Sequence, residues 1–188
     1  TQHGLVKLIQ ESKSWLTKVR FYTKPKAIKI GKTPLIFLPW PLTYSPLLKK
    51  YKKAVVIAHI EKPGFRFDNG RTHKGKDFKT YGLNWLIGHF HSFQEKDNCT
   101  FVGAPSQLRF GDAKDHYFLH VKVKKGKLTY KKILVNPGYY LDDIRIDTVD
   151  DIPQIKDLKK DTYYRILNNV NVTVPEELLS HRQVVKNE

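Results

Sequence analysis

The sequence predicts an α/β fold with one sizeable core, followed by a small α+β module. Three observations carry that expectation. Short, wholly apolar runs such as AVVIAH belong in the middle of sheets covered on both faces. Helix-like and strand-like segments alternate through the first two thirds of the chain. Composition then shifts: residues 137–188 hold 7 Lys/Arg against 10 Asp/Glu, net −3, whereas residues 1–136 hold 27 against 8, net +19. We therefore divide the chain into 1–136 and 137–188, at the turn-rich NPGYYLDD. With 188 residues and 40% apolar content there is enough material for that core and an appended module.

The elements follow in order. HGLVKLIQESKSWL repeats apolar residues at Leu5, Leu8, Ile9, Trp15 and Leu16, the spacing of one helix face. VRFYTK, AIKI and PLIFLPW read as strands, with Gly31 and Lys32 turning between the last two. Ser45 before Pro46 is a helix start for PLLKKYKK, because Ser caps free amides and Pro suits the first helical position. AVVIAH, LNWLIGH and CTFVG are buried strands, and YFLHVKV with LTYKKILV forms a hairpin across KKGK. In the second part IRID, DIPQIKDL, TYYRILNNV and PEELLSHRQVV predict strand, helix, strand, helix. There is no internal repeat and no low-complexity tract.

Composition narrows the function. No apolar run approaches the roughly 18 residues of a membrane span, and no charged-then-apolar leader opens the chain, so a cytoplasmic protein with no membrane partner is expected. The single cysteine, Cys99, cannot form an internal disulfide and reads as a small buried hydrophobe. The chain starts at Thr1 and has no methionine, which we read as a piece of a longer product. A net +19 on residues 1–136 attracts a polyanion, and nucleic acid is the commonest one.

The chemistry centres on histidines. In open α/β sheets the ligand site forms outside the carboxyl ends of the strands. His59 stands at one such end, and His89 and His91 stand just past another. Residues i and i+2 of an extended segment project to one side, so His89 and His91 are expected to approach one pocket while Phe90 turns to the core. Neutral imidazole suits Zn, Mn and Fe, and paired ions lie about 3.5–4 Å apart in two-metal hydrolytic sites.

VVIAHI, followed some thirty residues later by GHFH and then by FVGAPSQLRFGD, resembles the second half of the calcineurin-like metallophosphoesterases. Within them it is most similar to the SbcD-type nuclease subunit of double-strand-break repair complexes, including its bacteriophage versions. The resemblance implies part of a four-layer β-sandwich flanked by helices, followed by a small α+β capping domain. It also implies hydrolysis of DNA phosphodiesters with two divalent ions, manganese or a similar one, in which His59 and His89 ligate one ion and His91 the other. The implied partners are DNA, an SbcC-type ATPase subunit and the amino-terminal segment or chain that completes the site; a homodimer is a further expectation. The implied setting is a bacterial host cell.

The family's Asp-x-His, Gly-Asp-x-x-Asp and Gly-Asn-His do not occur ahead of His59. GDAKD, residues 111–115, fits Gly-Asp-x-x-Asp only as a string, since it follows the Gly-His-x-His and occupies the family's FGD turn. No proton donor can be named within these residues. A bridging carboxylate offsets the repulsion of two dications, and neutral imidazoles cannot replace it, so the 188 residues alone are expected to be inactive.

Residues 61–78, EKPGFRFDNGRTHKGKDF, form a polar loop directly after a ligand strand. Its Arg66, Arg71, Lys74 and Lys76 could hold a phosphate backbone, and Phe65 and Phe67 could stack a frayed base; equally, the loop could be a solvated surface. Arg109 either contacts DNA beside the metals or braces its turn through Asp112. His3, His73, His116, His120 and His181 have no partner at ligand spacing. Two further readings stand beside the nuclease: a metallophosphoesterase acting on phosphomonoesters or small nucleotides, and a basic non-catalytic DNA-binding fragment.

Overall fold

The computed structural model describes residues 22–124, 126–169, 172–181 and 184–185. The helix expected over 3–16 and the first half of VRFYTK lie outside them; Tyr22–Lys24 are not in a strand. Lys26–Ile30 (β1) and Thr33–Leu38 (β2) pair antiparallel across the Gly31–Lys32 turn. Pro46–Lys50 forms a helix (α1) whose Ser45 hydroxyl accepts from the Leu47 amide at 3.3 Å. Val55–His59 (β3), Asn84–Gly88 (β4), Gln94–Lys96 (β5) and Cys99–Phe101 (β6) complete a six-stranded sheet in the order β1-β2-β3-β4-β6-β5. β2, β3, β4 and β6 run parallel, and the antiparallel β1 and β5 form the edges.

Alternation along these strands builds the core on one face. Ile36, Leu38, Val56, Trp85, Ile87 and Phe101 point one way and are almost wholly buried, with Leu48 of α1 and the loop residues Phe65 and Phe90 closing over them. The 61–78 loop thus contributes Phe65 to the core, with Phe67 and Phe78 partly buried against it. Phe65 packs at 4.5 Å from the Phe101 ring and is buried, so it is not free to stack a base, while Phe67, 5.0 Å from the Phe90 ring, is half-buried. Loop amides pair locally, Gly64 with the His73 carbonyl and Phe67 with that of Arg71. Lys62 is buried against Asp77 and the Phe78 ring. Its ammonium holds the Asp77 carboxyl below the usual range. Cys99 is buried in β6, and burial pushes its thiol up to about 11, which removes the reactive thiolate at neutral pH.

The other face carries Leu35, Ile57 and Leu86, all half-buried. Tyr117–Lys124 (β7) and Lys127–Leu134 (β8) form a separate two-stranded ribbon beside it. A cavity of about 420 Å³ remains between the sheet and the ribbon, lined by Ile57, Leu86, Val102, Leu119 and Val121.

In the second part Tyr140–Ile146 (β9), Thr162–Asn168 (β10) and Val184–Val185 (β11) make a parallel sheet over a small cluster of Leu158, Tyr164 and Leu178. The helix expected at 151–158 is replaced by two 3₁₀ turns, Val149–Asp151 and Ile155–Asp157, because Pro153 forces Ile152 into the extended region. The second expected helix shrinks to Glu176–Leu179 (α2), and the β-branched pair Val184–Val185 joins the sheet instead. The Gln107 amide ties this module to the preceding turn through both backbone groups of Leu141, at 2.9 and 2.8 Å.

Phe65→Ala should lower stability by about 3–5 kcal/mol, the range for a buried Phe, whereas Arg66→Ala beside it should change it by less than about 0.5 kcal/mol. Urea unfolding of the two variants measures the contrast; equal effects would mean the loop is not packed as described.

Candidate functional site

Three parallel strands end at one place. β3 lies against β4 with His59 opposite Gly88, so His59 and the residue after Gly88 meet at the carboxyl edge. The His59 and His89 rings stand 5.4 Å apart, edge to face at 82°. Trp40, just past β2, stacks on His89 at 6.0 Å and 5° and turns its edge to His59 at 5.9 Å.

Gly88 is what makes this approach possible. A Cβ there would lie 2.8 Å from Cδ2 of His59, closer than side chains tolerate. His89 itself has φ +123°, a region that is costly for a residue with a side chain. The segment is therefore not extended through His89, and the simple i, i+2 argument does not explain how His89 and His91 are placed. Phe90 does turn to the core, 3% exposed.

Each imidazole of the Gly-His-x-His has a carboxylate partner. His89 Nε2 lies 2.9 Å from Glu61 Oε1, and the other oxygen of Glu61 lies 3.3 Å from His73 Nε2. His73 thus joins the site through Glu61. Burial lowers the pKa of His89; Glu61 opposes that effect and His59 reinforces it. His91 Nδ1 lies 3.0 Å from Asp112 Oδ2 and 3.7 Å from Asp68 Oδ2.

Asp112 is buried at 5% exposure and fully engaged. It accepts from the amides of Leu108 and Arg109 at 3.0 and 3.2 Å and from Arg109 Nε at 3.0 Å. Burial pushes its carboxyl up, but the Leu108 amide, Arg109 and His91 outweigh burial and hold it below the ordinary range. Arg109 also reaches Asp68 at 3.8 Å, so its guanidinium braces the turn. Asp68 accepts from the Ser92 hydroxyl.

Among the described residues, Asp68, His91 and Asp112 are the group of three whose ligand-capable atoms all lie within 4.8 Å of one another. Asp112 thus belongs beside His91, while Asp115 is exposed and apart, which leaves GDAKD without meaning as a motif. His116 is buried with Nδ1 on the Ala104 carbonyl at 2.8 Å, a structural contact. His120 is exposed on the ribbon, and His3 lies outside the described residues. Arg66, Arg71, Lys74 and Lys76 are all exposed on the loop beside the site. Sequence reasoning does not single out Trp40, Glu61, Asp68 or Asp112 as site residues. Of these, Glu61 carries a local signal two residues past His59, where the ligand strand ends, and Asp112 lies in the FGD turn.

No helix of the described residues is long and apolar enough to cross a membrane. No family model matches the chain. Over 105 residues, 52% of its length, it is 30% identical to exonuclease subunit 1 of Enterobacteria phage T4. The match spans 31% of that protein, so the chain covers about a third of its relative's length.

Gly88→Ala should displace the His59 ring while leaving the sheet standing, since the atoms nearest the added methyl all belong to that ring. The His59 ring-proton shifts in NMR spectra check it: unchanged shifts in a folded variant would show that His59 does not lie over Gly88.

Proposed function

We propose that the chain is part of a metal-dependent DNA nuclease of the SbcD-type metallophosphoesterase class, acting as exo- or endonuclease on phosphodiester bonds in repair or recombination. The observation that carries this reading is the convergence of His59 and His89 at the ends of adjacent parallel strands. The similarity to a phage exonuclease subunit supports it. Phosphomonoester or small-nucleotide hydrolysis is disfavoured by the net +19 on residues 1–136.

The donor chemistry fits the implied ions. Imidazole nitrogens backed by carboxylates suit manganese, zinc and similar dications. His59 and His89 would hold one ion and His91 the other, in a four-layer sandwich completed by other strands and capped by the α+β module. Bound there, the ions would polarise the phosphodiester and offset the charge that develops on it. The chain's own residues position this chemistry: Gly88 admits His59, and Trp40 covers both rings.

A bridging carboxylate is the missing part. Residues 1–58 contain no aspartate, and Asp112 is already saturated by amide and guanidinium donors. The 188 residues alone are therefore expected to be inactive, and activity requires a segment or chain that supplies the acidic motifs. An SbcC-type ATPase is the proposed partner, and the host cytoplasm the proposed setting.

DNA contact has two candidate surfaces. Arg66, Arg71, Lys74 and Lys76 are exposed on the 61–78 loop, which also carries Glu61 and Asp68 of the site. The ribbon formed by β7 and β8 carries Lys122, Lys124, Lys127, Lys131 and Lys132, and the sequence has no acidic residue between 117 and 134. Its register sets Lys124 opposite Lys127, a like-charge pairing that costs stability unless an anion lies over it.

In the complete nuclease, His59→Ala, His89→Ala and His91→Ala should each reduce manganese-dependent cleavage of linear duplex DNA to background, with circular dichroism unchanged. A variant that retains near-native turnover removes that histidine from the ligand set. Duplex binding by the chain itself should weaken steeply with salt. Lys122→Glu, Lys124→Glu and Lys131→Glu together should lower the slope of log affinity against log salt by about 1 for each phosphate no longer neutralised. Fluorescence anisotropy across a salt series reads this, and a slope that the triple variant leaves unchanged would exclude the ribbon as a DNA-binding surface.

A further inference from the structure

We infer that Glu61 and Asp112 are positioning residues that fix opposite tautomers in the two imidazoles of the Gly-His-x-His, so that His89 presents Nδ1 and His91 presents Nε2 to the ions. This rests on the ligand roles proposed above and adds which atom of each ring is presented and what holds it there.

Donors and acceptors decide the tautomers. An ionised carboxylate can only accept hydrogen bonds. Glu61 Oε1 lies 2.9 Å from Nε2 of His89, so in the neutral ring that nitrogen carries the proton and Nδ1 is bare. Asp112 Oδ2 lies 3.0 Å from Nδ1 of His91, so there the proton sits on Nδ1 and Nε2 is bare. A metal takes the bare nitrogen, and a carboxylate behind the ring makes that nitrogen more basic and fixes the ring's direction.

Asp112 is suited to holding one ring and nothing else. Its side chain is inaccessible, and Arg109 and two backbone amides fix its orientation independently of His91. Direct ligation through Asp112 would bring a dication against the Arg109 guanidinium 3.0 Å from Oδ1 and displace donors already in place. Glu61 divides its oxygens between His89 and His73, so it is clamped from both sides. Asp68, 3.7 Å from the same nitrogen of His91, adds negative charge behind that ring without competing for Nε2.

The test is two-bond proton–nitrogen NMR on the ¹⁵N-labelled 188-residue chain without metal, at a pH of about 8, where ordinary imidazoles are neutral. His89 and His91 are assigned from His89→Gln and His91→Gln. The expected spectrum shows His89 protonated on Nε2 and His91 on Nδ1. The opposite tautomer at either ring in the unaltered chain overturns the assignment for that ring, whatever any variant does.

Glu61→Ala, at a partly exposed position, should release His89 from its single tautomer, and Asp112→Asn should do the same for His91. Each should weaken Mn²⁺ binding, followed by electron paramagnetic resonance, by roughly 10–100-fold. If affinity falls while the tautomer stays put, the carboxylate is itself a ligand and the inference fails. Should Asp112→Asn not fold, the unaltered spectrum and Glu61→Ala still decide. If His89→Gln and His91→Gln leave Mn²⁺ binding intact, the ligand reading under the proposed function fails. If they abolish binding while tautomers and affinities ignore Glu61 and Asp112, only this inference fails.

Discussion

The register of β3 against β4 is the constraint on which the rest depends. It places His59 opposite Gly88, the residue whose missing side chain leaves room for an imidazole. A shift of one residue would turn His59 into the core and set Ile87 against it, because neighbouring side chains on a strand face opposite ways. That register is secured by the buried face of the same strands, where Val56, Ala58, Trp85 and Ile87 exclude water. Core packing and site geometry are thus two faces of one pairing, and the strained backbone of His89 is tolerated because Phe90 beside it is anchored in the core.

What the sequence made legible follows from range. His59, His89 and His91 could be found because strand-end position and the Gly-His-x-His spacing are local. β1 to β4, the hairpin and the Ser45 cap were likewise legible in local alternation and turn chemistry. Asp68 and Asp112 were not, since they reach His91 from 23 and 21 residues away by loop closure that no periodicity encodes. The two phenylalanines of the loop misled for a related reason: a polar sequence around them suggested solvent, but Phe65 rests at 4.5 Å from Phe101 across the sheet. In the second part, Pro153 holds Ile152 extended and prevents the helix expected over 151–158.

The distribution of charge bears on why carboxylates sit behind these rings. Residues 1–136 contain only eight acidic residues among 27 Lys/Arg. Three of the eight, Glu61, Asp68 and Asp112, lie within 4.0 Å of His89 or His91. A net positive surface attracts phosphate and repels a dication, and the repulsion is felt over roughly 8–10 Å at ordinary ionic strength. Local negative charge is therefore needed where an ion is to bind, and it has to be placed where it does not face the incoming phosphate.

Placing it behind the imidazoles meets both demands. The Asp112 side chain is inaccessible, and the donors on it offset its burial without removing its charge. Arg109 then has two effects, bracing the turn and limiting how much negative potential Asp112 and Asp68 present directly. On the proposed two-ion reading, the same balance argues against these groups as the bridging carboxylate. Charge that lies behind a ring and is shared with a guanidinium can orient a ligand nitrogen, but it cannot stand between two dications.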